Sequence, residues 1–262
     1  MSKTILITGS TDGIGKLTAK MLVEQGHKVL LHGRNPSKLE NASAEIGGDT
    51  ESYIADLSRM GDVEAMGTQI LERHRHLDVL INNAGVFKTS RPTTPDGLDV
   101  RFVVNTLAPY VLTRRLLLII PKSGRIVNLS SAAQAPVNMD AMSGRVALDD
   151  MSAYAQSKLA ITIWSRELAR ELAEGPVVVA VNPGSLLASK MVKEGFGIAG
   201  NDLRIGAEVL CRAALDASFA DASGKYFDND SGRFSRPNAA ALNARHAQAV
   251  MRTVDKVIAS LR

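Results

Sequence analysis

The fold can be read from the stretch Thr4-Ile5-Leu6-Ile7-Thr8-Gly9-Ser10-Thr11-Asp12-Gly13-Ile14-Gly15. Its apolar run has no polar alternation, as expected of a strand buried on both faces of a parallel sheet. A helical pattern over residues 16–25 follows the three glycines. Glycines between a strand and a helix let the main chain approach a pyrophosphate, whose charge the helix N-terminus favours. The spacing is G-x-x-x-G-x-G and not the general G-x-G-x-x-G, so a turn that only packs helix on strand is the alternative interpretation.

The same alternation of strand and helix continues along the chain. Short apolar runs predict further strands at residues 28–31, 51–55, 77–81, 125–129, 177–181 and 225–228. Strands that alternate with helices build a parallel sheet with helices on both faces. We therefore predict an α/β fold, a Rossmann-type doubly wound parallel sheet of about seven strands. A single domain would span residues 1–262.

Residue types suited to ligand binding directly follow the predicted strands, and they are Gly9, Arg34, Asp56, Asn83, Ser131 and Pro183. In open α/β sheets, this edge of the sheet builds the ligand crevice. The second strand ends at Arg34 without the acid that an NAD site usually places there. Because a guanidinium suits a ribose phosphate in charge and geometry, Arg34 indicates NADP(H). A solvated turn residue is the alternative for Arg34.

Tyr154 and Lys158 lie four residues apart in a segment, residues 151–174, that has a helical pattern. Side chains at this spacing share a helix face, and a nearby ammonium favours the phenolate over the phenol. The pair therefore suits proton transfer, and Ser131 is placed to polarise a carbonyl oxygen. The same spacing also occurs by chance in surface helices, so the pair alone is a weak signal.

Asn105 interrupts an otherwise apolar helical pattern over residues 97–120. A buried amide within a helix needs hydrogen-bond partners. It either ties neighbouring elements together or holds water in a proton path. From the residues alone, the structural role is favoured.

Composition argues against several classes of function. The net charge of +4 is small and the basic residues are scattered, so nothing indicates a nucleic-acid partner. His74 and His76 have no partners at metal-ligand spacing, so we predict no metal site. The single cysteine, Cys211, excludes an internal disulfide and fits a reducing compartment. No apolar run reaches membrane-spanning length, so we expect a cytoplasmic protein without a membrane anchor.

Together these motifs resemble the short-chain dehydrogenase/reductase family over nearly the whole chain. The matching residues are Thr8 to Gly15, Asp56, Asn82-Asn83-Ala84-Gly85, Asn105, Ser131, Tyr154, Lys158 and Pro183-Gly184. The long segment between Ser131 and Tyr154 resembles the retinol-dehydrogenase-like and protochlorophyllide-reductase-like branch, as does Gly224-Lys225-Tyr226-Phe227 before a C-terminal helix. The resemblance implies the strand order 3-2-1-4-5-6-7 with NADP(H) across the crevice.

The resemblance also implies interconversion of a carbonyl, in an aldehyde or ketone, and an alcohol by hydride transfer. Tyr154 would be the general acid and base, Lys158 would lower its pKa and bind the nicotinamide ribose, and Ser131 would polarise the carbonyl. Asn105 would hold a relay water. Residues 1–130 would bind the cofactor, and residues 131–262 would hold the catalytic and substrate-binding part. The implied cofactor-binding residues are Gly9, Ser10, Thr11, Gly13, Ile14, Gly15, Arg34, Asp56, Leu57, Asn83, Ala84, Gly85, Tyr154, Lys158, Pro183, Gly184 and Ser189.

The partners and alternatives follow from the same comparison. We expect a small apolar carbonyl or alcohol as substrate, because predicted loops carry Phe87, Met139, Met142 and Phe196. The long segment before the catalytic helix would obstruct the helix pairing of tetrameric relatives, so we expect a monomer or homodimer. An NADP(H)-binding redox sensor without turnover and a C=C reductase are the alternatives. The sensor is disfavoured because all catalytic-type residues are kept.

Overall fold

The computed structural model describes residues 1–187 and 200–261. These residues form one eight-stranded sheet with the order β3-β2-β1-β4-β5-β6-β7-β8. The strands are β1 Thr4–Ile7, β2 Lys28–Gly33, β3 Thr50–Ile54, β4 Val79–Asn82, β5 Arg125–Leu129, β6 Val177–Asn182, β7 Tyr226–Asp228 and β8 Arg233–Ser235. The first seven pair in parallel in the expected order, which confirms the predicted α/β fold.

Helices cover both faces of the sheet. They are α1 Gly13–Glu24, α2 Pro36–Ile46, α3 Met60–Arg73, α4 Val100–Phe102, α5 Ala108–Leu116, α6 Met139–Met142, α7 Asp150–Glu171, α8 Leu203–Leu215 and α9 Ala244–Ser260. Alternate residues of β1 reach opposite layers, since Ile5 and Ile7 join the core with α1, α2 and α8. Leu6 joins the core with α3, α5, α7 and α9. None of the described helices is long and apolar enough to cross a membrane.

The sheet has one more strand than the predicted seven. β8 pairs with β7 antiparallel, with Phe227 opposite Phe234, across a turn in which Gly232 has a φ of 67°. β8 is short, and Arg233 and Phe234 are exposed, so it lacks the apolar run that marks the buried strands. Its position is instead set by packing, because the Phe234 ring lies 5.3 Å from that of Phe219 and 5.1 Å from that of Phe227, centroid to centroid.

The helical segment predicted over residues 97–120 is divided. α4 passes into a π turn, Val103–Leu107, and then into α5. π turns in otherwise α-helical segments are often found at functional sites, and this one contains Asn105. The loop predicted before the catalytic helix also contains a short helix, α6, capped by the Asn138 side chain.

The C-terminal helix α9 packs on α7, the helix that carries Tyr154 and Lys158. Its apolar face is Ala247, Val250, Val254, Val257 and Ile258, all buried in the core that includes α7. The Tyr110 hydroxyl on α5 also hydrogen-bonds Asp255 on α9 at 3.1 Å. α7 therefore contacts strands β5 and β6 on one side and α9 on another.

Candidate active site

The glycine turn between β1 and α1 is held against the end of β4. The Asn83 side-chain amide donates to the carbonyl oxygens of Thr8 and Gly9 at 2.9 and 3.0 Å. The Thr8 hydroxyl accepts from the main-chain N–H groups of Asn83 and Ala84. Gly9 has a φ of 67°, and a Cβ there would lie 2.9 Å from the Ala84 Cα. A Cβ at Gly15 would lie 2.4 Å from the Gly9 carbonyl oxygen, so both positions require glycine.

The N-terminus of α1 opens from this turn. The Asp12 side chain accepts from the Gly13 N–H at 2.7 Å and caps the helix, and Gly13 has a φ of 55°. Ile14 packs with its side chain near Gly206 of α8. The structure thus places Gly9, Thr11, Gly13 and Ile14 around one strand-to-helix turn.

Two residues expected at the cofactor have side chains that point elsewhere. The Ser10 side chain is fully buried, and its hydroxyl accepts from the His32 N–H at 2.9 Å. The Leu57 side chain is 6% exposed and belongs to the core. Only main-chain atoms of Ser10 and Leu57 are therefore available to contact a ligand in the crevice.

His32 was missed by sequence reasoning and is part of the same architecture. It lies in β2 and is 3% exposed. Its Nδ1 accepts from the Gly9 N–H at 2.9 Å, and its Nε2 lies 3.1 Å from the Ala55 carbonyl oxygen. Burial lowers the pKa of His32 to about 4, although the Ala55 hydrogen bond and the Asp56 charge act in the opposite direction. A histidine within a buried strand was the available signal, since such a group needs partners.

A cavity of about 770 Å³ opens beside the ends of β2, β3 and β4. Its lining includes Arg34, Asp56 and Gly85, and it continues along the loop after β4 to Phe87. Asp56 Oδ1 accepts from the N–H and the hydroxyl of Ser58 at 3.0 and 2.7 Å. A guanidinium and a carboxylate therefore border one space, whose volume is in the range of small-molecule and cofactor pockets.

Tyr154, Ser131 and Lys158 come together between the end of β5 and α7. The Ser131 side chain acts to lower the Tyr154 pKa, and its hydroxyl accepts from the Ala133 N–H at 3.1 Å. The Lys158 side chain is 4% exposed, its Nζ donates to the Leu129 carbonyl oxygen at 2.8 Å, and it lies 5.7 Å from the Tyr154 ring centroid. The spacing of four residues therefore places the phenol and the ammonium in one region, as expected.

The protonation of this group differs from expectation in one respect. Burial raises the pKa of Tyr154, although the hydrogen bond from Ser131 acts to lower it. Burial also lowers the pKa of Lys158 to about 8. The expected lowering of the Tyr154 pKa by Lys158 is not seen, because desolvation dominates and the Lys158 ammonium donates to a main-chain carbonyl.

The Ser131 main chain is fixed by two residues that sequence reasoning did not identify. Its carbonyl oxygen accepts from the Tyr226 hydroxyl at 3.0 Å and from the Gln134 side-chain amide at 2.9 Å. The neighbouring Ser130 hydroxyl instead bonds the Lys158 carbonyl oxygen and the Thr162 hydroxyl within α7. Of the two serines, Ser131 is the one whose side chain acts on the pKa of Tyr154.

The Asn105 side chain joins the loop after β4 to α7. Its Oδ1 accepts from the Val86 N–H at 2.8 Å, and its Nδ2 donates to the Val86 carbonyl and the Ser157 hydroxyl, each at 2.9 Å. Both amide protons are used, so the side chain has the structural role that the residues alone favoured.

The remaining predicted residues fall into two groups. Pro183 and Gly184 follow β6, and the Gly184 N–H donates to the Asn182 side chain at 3.3 Å. Ser189 and Phe196 lie outside the described residues.

The apolar residues expected to line a pocket also separate. Met142 is fully buried in the core and Met139 is partly buried against it. Phe87 packs against Tyr154, with ring centroids 5.1 Å apart. Of these three residues, Phe87 is therefore the one whose ring packs on Tyr154.

Comparison with known proteins gives the class of this chain. A family model described as short chain dehydrogenase matches residues 3–196, and the chain belongs to that family. Human "Retinol dehydrogenase 13" is 32% identical, over 90% of this chain and 79% of that protein. Relatives of this kind confirm the retinol-dehydrogenase-like branch.

Solved structures agree with this assignment. One is the landomycin C-6 ketoreductase LanV with bound NADP and rabelomycin, with a TM-score of 0.70 and 29% identity over 88% of this chain and 95% of that chain. Another is the 3-ketoacyl-(acyl-carrier-protein) reductase from Brucella melitensis complexed with NADH, with a TM-score of 0.69 and 25% identity over 88% and 98%. The chain is thus an oxidoreductase of carbonyl and alcohol groups that acts on small molecules with a nicotinamide cofactor.

The residues present fit such a cofactor. The glycine turn permits close main-chain approach, and the neighbouring cavity carries a cation at its border. Within residues 1–187 and 200–261, no group of three or more His, Cys, Asp or Glu side chains is placed to hold a metal ion.

The buried His32 predicts a specific pH dependence of stability. Its pKa falls from 6.5 to about 4 on folding, so the unfolded chain binds a proton more readily and the folded state loses stability as pH falls from about 6.5 to about 4. The loss is on the order of 3 kcal/mol. Chemical unfolding of the wild type and of His32→Asn at pH 7.5 and 4.5 should show a smaller loss in the variant. Equal losses would contradict this account of His32.

Proposed function

We propose that this chain is an NADP(H)-dependent carbonyl reductase or alcohol dehydrogenase in which Tyr154 is the general acid and base. The observation that carries the proposal is the grouping of Ser131, Tyr154 and Lys158 between the end of β5 and α7, where the buried Lys158 Nζ lies 5.7 Å from the Tyr154 ring centroid and Ser131 acts to lower the Tyr154 pKa. Two neighbouring hydroxyl groups form a site where one carbonyl oxygen can accept from both.

Ser131, Tyr154 and Lys158 each have a separate role in the proposed reaction. A bound nicotinamide supplies or accepts the hydride. Ser131 orients and polarises the carbonyl oxygen, and Tyr154 donates the proton to it. Because burial raises the pKa of Tyr154, the phenol keeps its proton at neutral pH until the oxygen becomes more basic. Lys158 binds the nicotinamide ribose and favours the phenolate that forms.

Asn105 contributes through the main chain in this proposal. Its side chain is fully used in structural hydrogen bonds. It lies in a π turn, where the helical hydrogen-bond pattern is shifted by one residue. A relay water held by main-chain groups of this turn would resupply the proton to Tyr154.

The cofactor is assigned to residues 1–130 and to the start of the loop after β6. The pyrophosphate would lie at the turn of Gly9, Ser10, Thr11, Gly13, Ile14 and Gly15. Asp56, Leu57, Asn83, Ala84 and Gly85 would contact the adenosine half. Pro183, Gly184 and Ser189 would contact the nicotinamide half. Arg34 at the cavity border would bind the 2′-phosphate, which selects NADP(H) over NAD(H).

We assign an apolar substrate to the part built by residues 131–262. Phe87 packs on Tyr154, and Met151 lies three residues before Tyr154 on α7 with 40% of its surface exposed. Residues at i and i+3 share a helix face, so Met151 is available to an apolar group beside the tyrosine. The retinol dehydrogenases and the human polyprenol dehydrogenase among the relatives are named for apolar alcohols. A cytoplasmic location stays a prediction from the single cysteine.

Loss of the Tyr154 hydroxyl should abolish turnover. Tyr154→Phe removes the proton donor and should lower kcat by about 100-fold or more, with NADPH binding kept. NADPH oxidation with a panel of aldehydes and ketones measures the rate. Tyr110→Phe is the matched control, because that hydroxyl bonds Asp255 and Arg114 instead. Tight NADPH binding by the wild type without turnover would favour the redox sensor.

Removal of the Arg34 charge should change the cofactor preference. Arg34→Leu removes the charge-assisted contact to the 2′-phosphate and should raise the KM for NADPH at least about tenfold. The KM for NADH should stay within about twofold. Arg252→Leu, at an exposed position on α9, is the control. Equal use of the two cofactors by the wild type would contradict the role of Arg34 and leave that of Tyr154 intact.

The position of α9 leads us to propose a monomer or homodimer. α9 packs on α7, so it occupies helix surface that relatives use for pairing into tetramers. Sedimentation equilibrium should give the mass of one 28.0 kDa chain or of two. A tetramer mass would overturn the proposal.

A further inference from the structure

One imidazole joins the ends of three strands at the cofactor edge of the sheet. His32 lies in β2, accepts at Nδ1 from the Gly9 N–H just after β1, and meets the Ala55 carbonyl just after β3 through Nε2. Because the Gly9 N–H can only donate, Nδ1 must carry no proton and Nε2 must carry it. The hydrogen-bond partners therefore select one neutral tautomer.

The main chain of His32 adds to this link. The Ser10 N–H donates to the His32 carbonyl oxygen at 3.0 Å, and the His32 N–H donates to the Ser10 hydroxyl at 2.9 Å. The Ser10 hydroxyl also donates to the His32 carbonyl oxygen at 3.4 Å, so Gly9 and Ser10 are bound to His32 by four hydrogen bonds in a region with almost no solvent. The start of the glycine turn cannot shift relative to β2 without leaving buried polar groups unpaired.

Arg34, which we propose binds the ribose 2′-phosphate, follows the end of the same strand. Arg34 lies two residues after His32. Between them, a Cβ at Gly33 would lie 2.4 Å from the Thr11 Cγ2, so the glycine turn and the end of β2 are in direct contact. The contacts around His32 therefore fix the distance between the glycine turn and the end of β2, where Arg34 lies.

We propose that His32 is a positioning residue for the dinucleotide: its neutral imidazole holds the Gly9 N–H so that the glycine turn presents its main chain to the pyrophosphate. This proposal rests on the proposed function, and it adds a residue that touches no cofactor atom. The pyrophosphate is common to NADPH and NADH, so His32 acts on both. Arg34 acts on NADPH alone.

The test measures equilibrium binding of each reduced cofactor to the purified full chain through the fluorescence of the nicotinamide. His32→Leu removes the acceptor and should weaken the binding of NADPH and of NADH each by about tenfold. His32→Asn places an amide oxygen near the position of Nδ1 and should bind both cofactors within about threefold of the wild type.

The chain offers a matched control at the opposite end of β2. The His27 Nδ1 accepts from the Lys3 N–H at 3.2 Å, so His27→Leu deletes the same type of contact away from the glycine turn. It should leave the binding of both cofactors unchanged. Circular dichroism establishes that each variant is folded. If His32→Leu does not fold, weak binding of both cofactors by a folded His32→Asn would still contradict the proposal.

Three results would overturn the proposal. Wild-type affinity for both cofactors in His32→Leu would do so, as would equally weak binding in His32→Asn and His32→Leu. A loss of affinity for NADPH but not for NADH would also do so, because it would show that the substitution acts through Arg34 and not through the glycine turn. In each of these results the wild type still binds cofactor, so the proposed function stands. A wild type that binds neither cofactor would overturn the proposed function as well.

Discussion

Every parallel strand that ends at the crevice leaves main-chain N–H and C=O groups outside the hydrogen-bond ladder, and these groups must find partners. Polar side chains supply them here. Asn83 donates to the carbonyls of Thr8 and Gly9, His32 bonds Gly9 and Ala55, and Lys158 donates to the Leu129 carbonyl. The residues that form the family's motifs are thus first of all the partners that complete the strand ends. The crevice has its shape because these bonds are made.

The need to pair main-chain groups at the strand ends also determines the position of the Lys158 side chain. An ammonium removed from water is destabilised unless it is bonded, and burial lowers its pKa to about 8. Its bond to the Leu129 carbonyl holds the side chain at the end of β5, directly before the segment that carries Ser131. The cation is therefore held rigidly near the Tyr154 ring and close to its titration range. Such a group responds strongly to any negative charge that develops on the neighbouring phenol.

The sequence predicts the parts of this site that depend on local pattern. Apolar runs identify the parallel strands, and the spacing of Tyr154 and Lys158 brings both to one helix face. Contacts between distant segments were not predictable in the same way. His32 bonds Gly9, which lies 23 residues away, and nothing in the residues beside it indicates that partner. β8 depends on ring packing around Phe219, and its own three residues do not read as a strand.

The position of the proposed catalytic Ser131 depends on contacts between residues that lie far apart along the chain. Tyr226, 95 residues along the chain from Ser131, bonds the Ser131 carbonyl oxygen. Gln134 bonds the same oxygen, and its side-chain oxygen accepts from the Asn238 N–H, which precedes the C-terminal helix. The orientation of the Ser131 hydroxyl towards Tyr154 therefore depends on β7 and on the segment that leads into α9. The glycine turn is held by contacts among β1 to β4, whereas the Ser131 main chain is held by contacts from the C-terminal part of the chain.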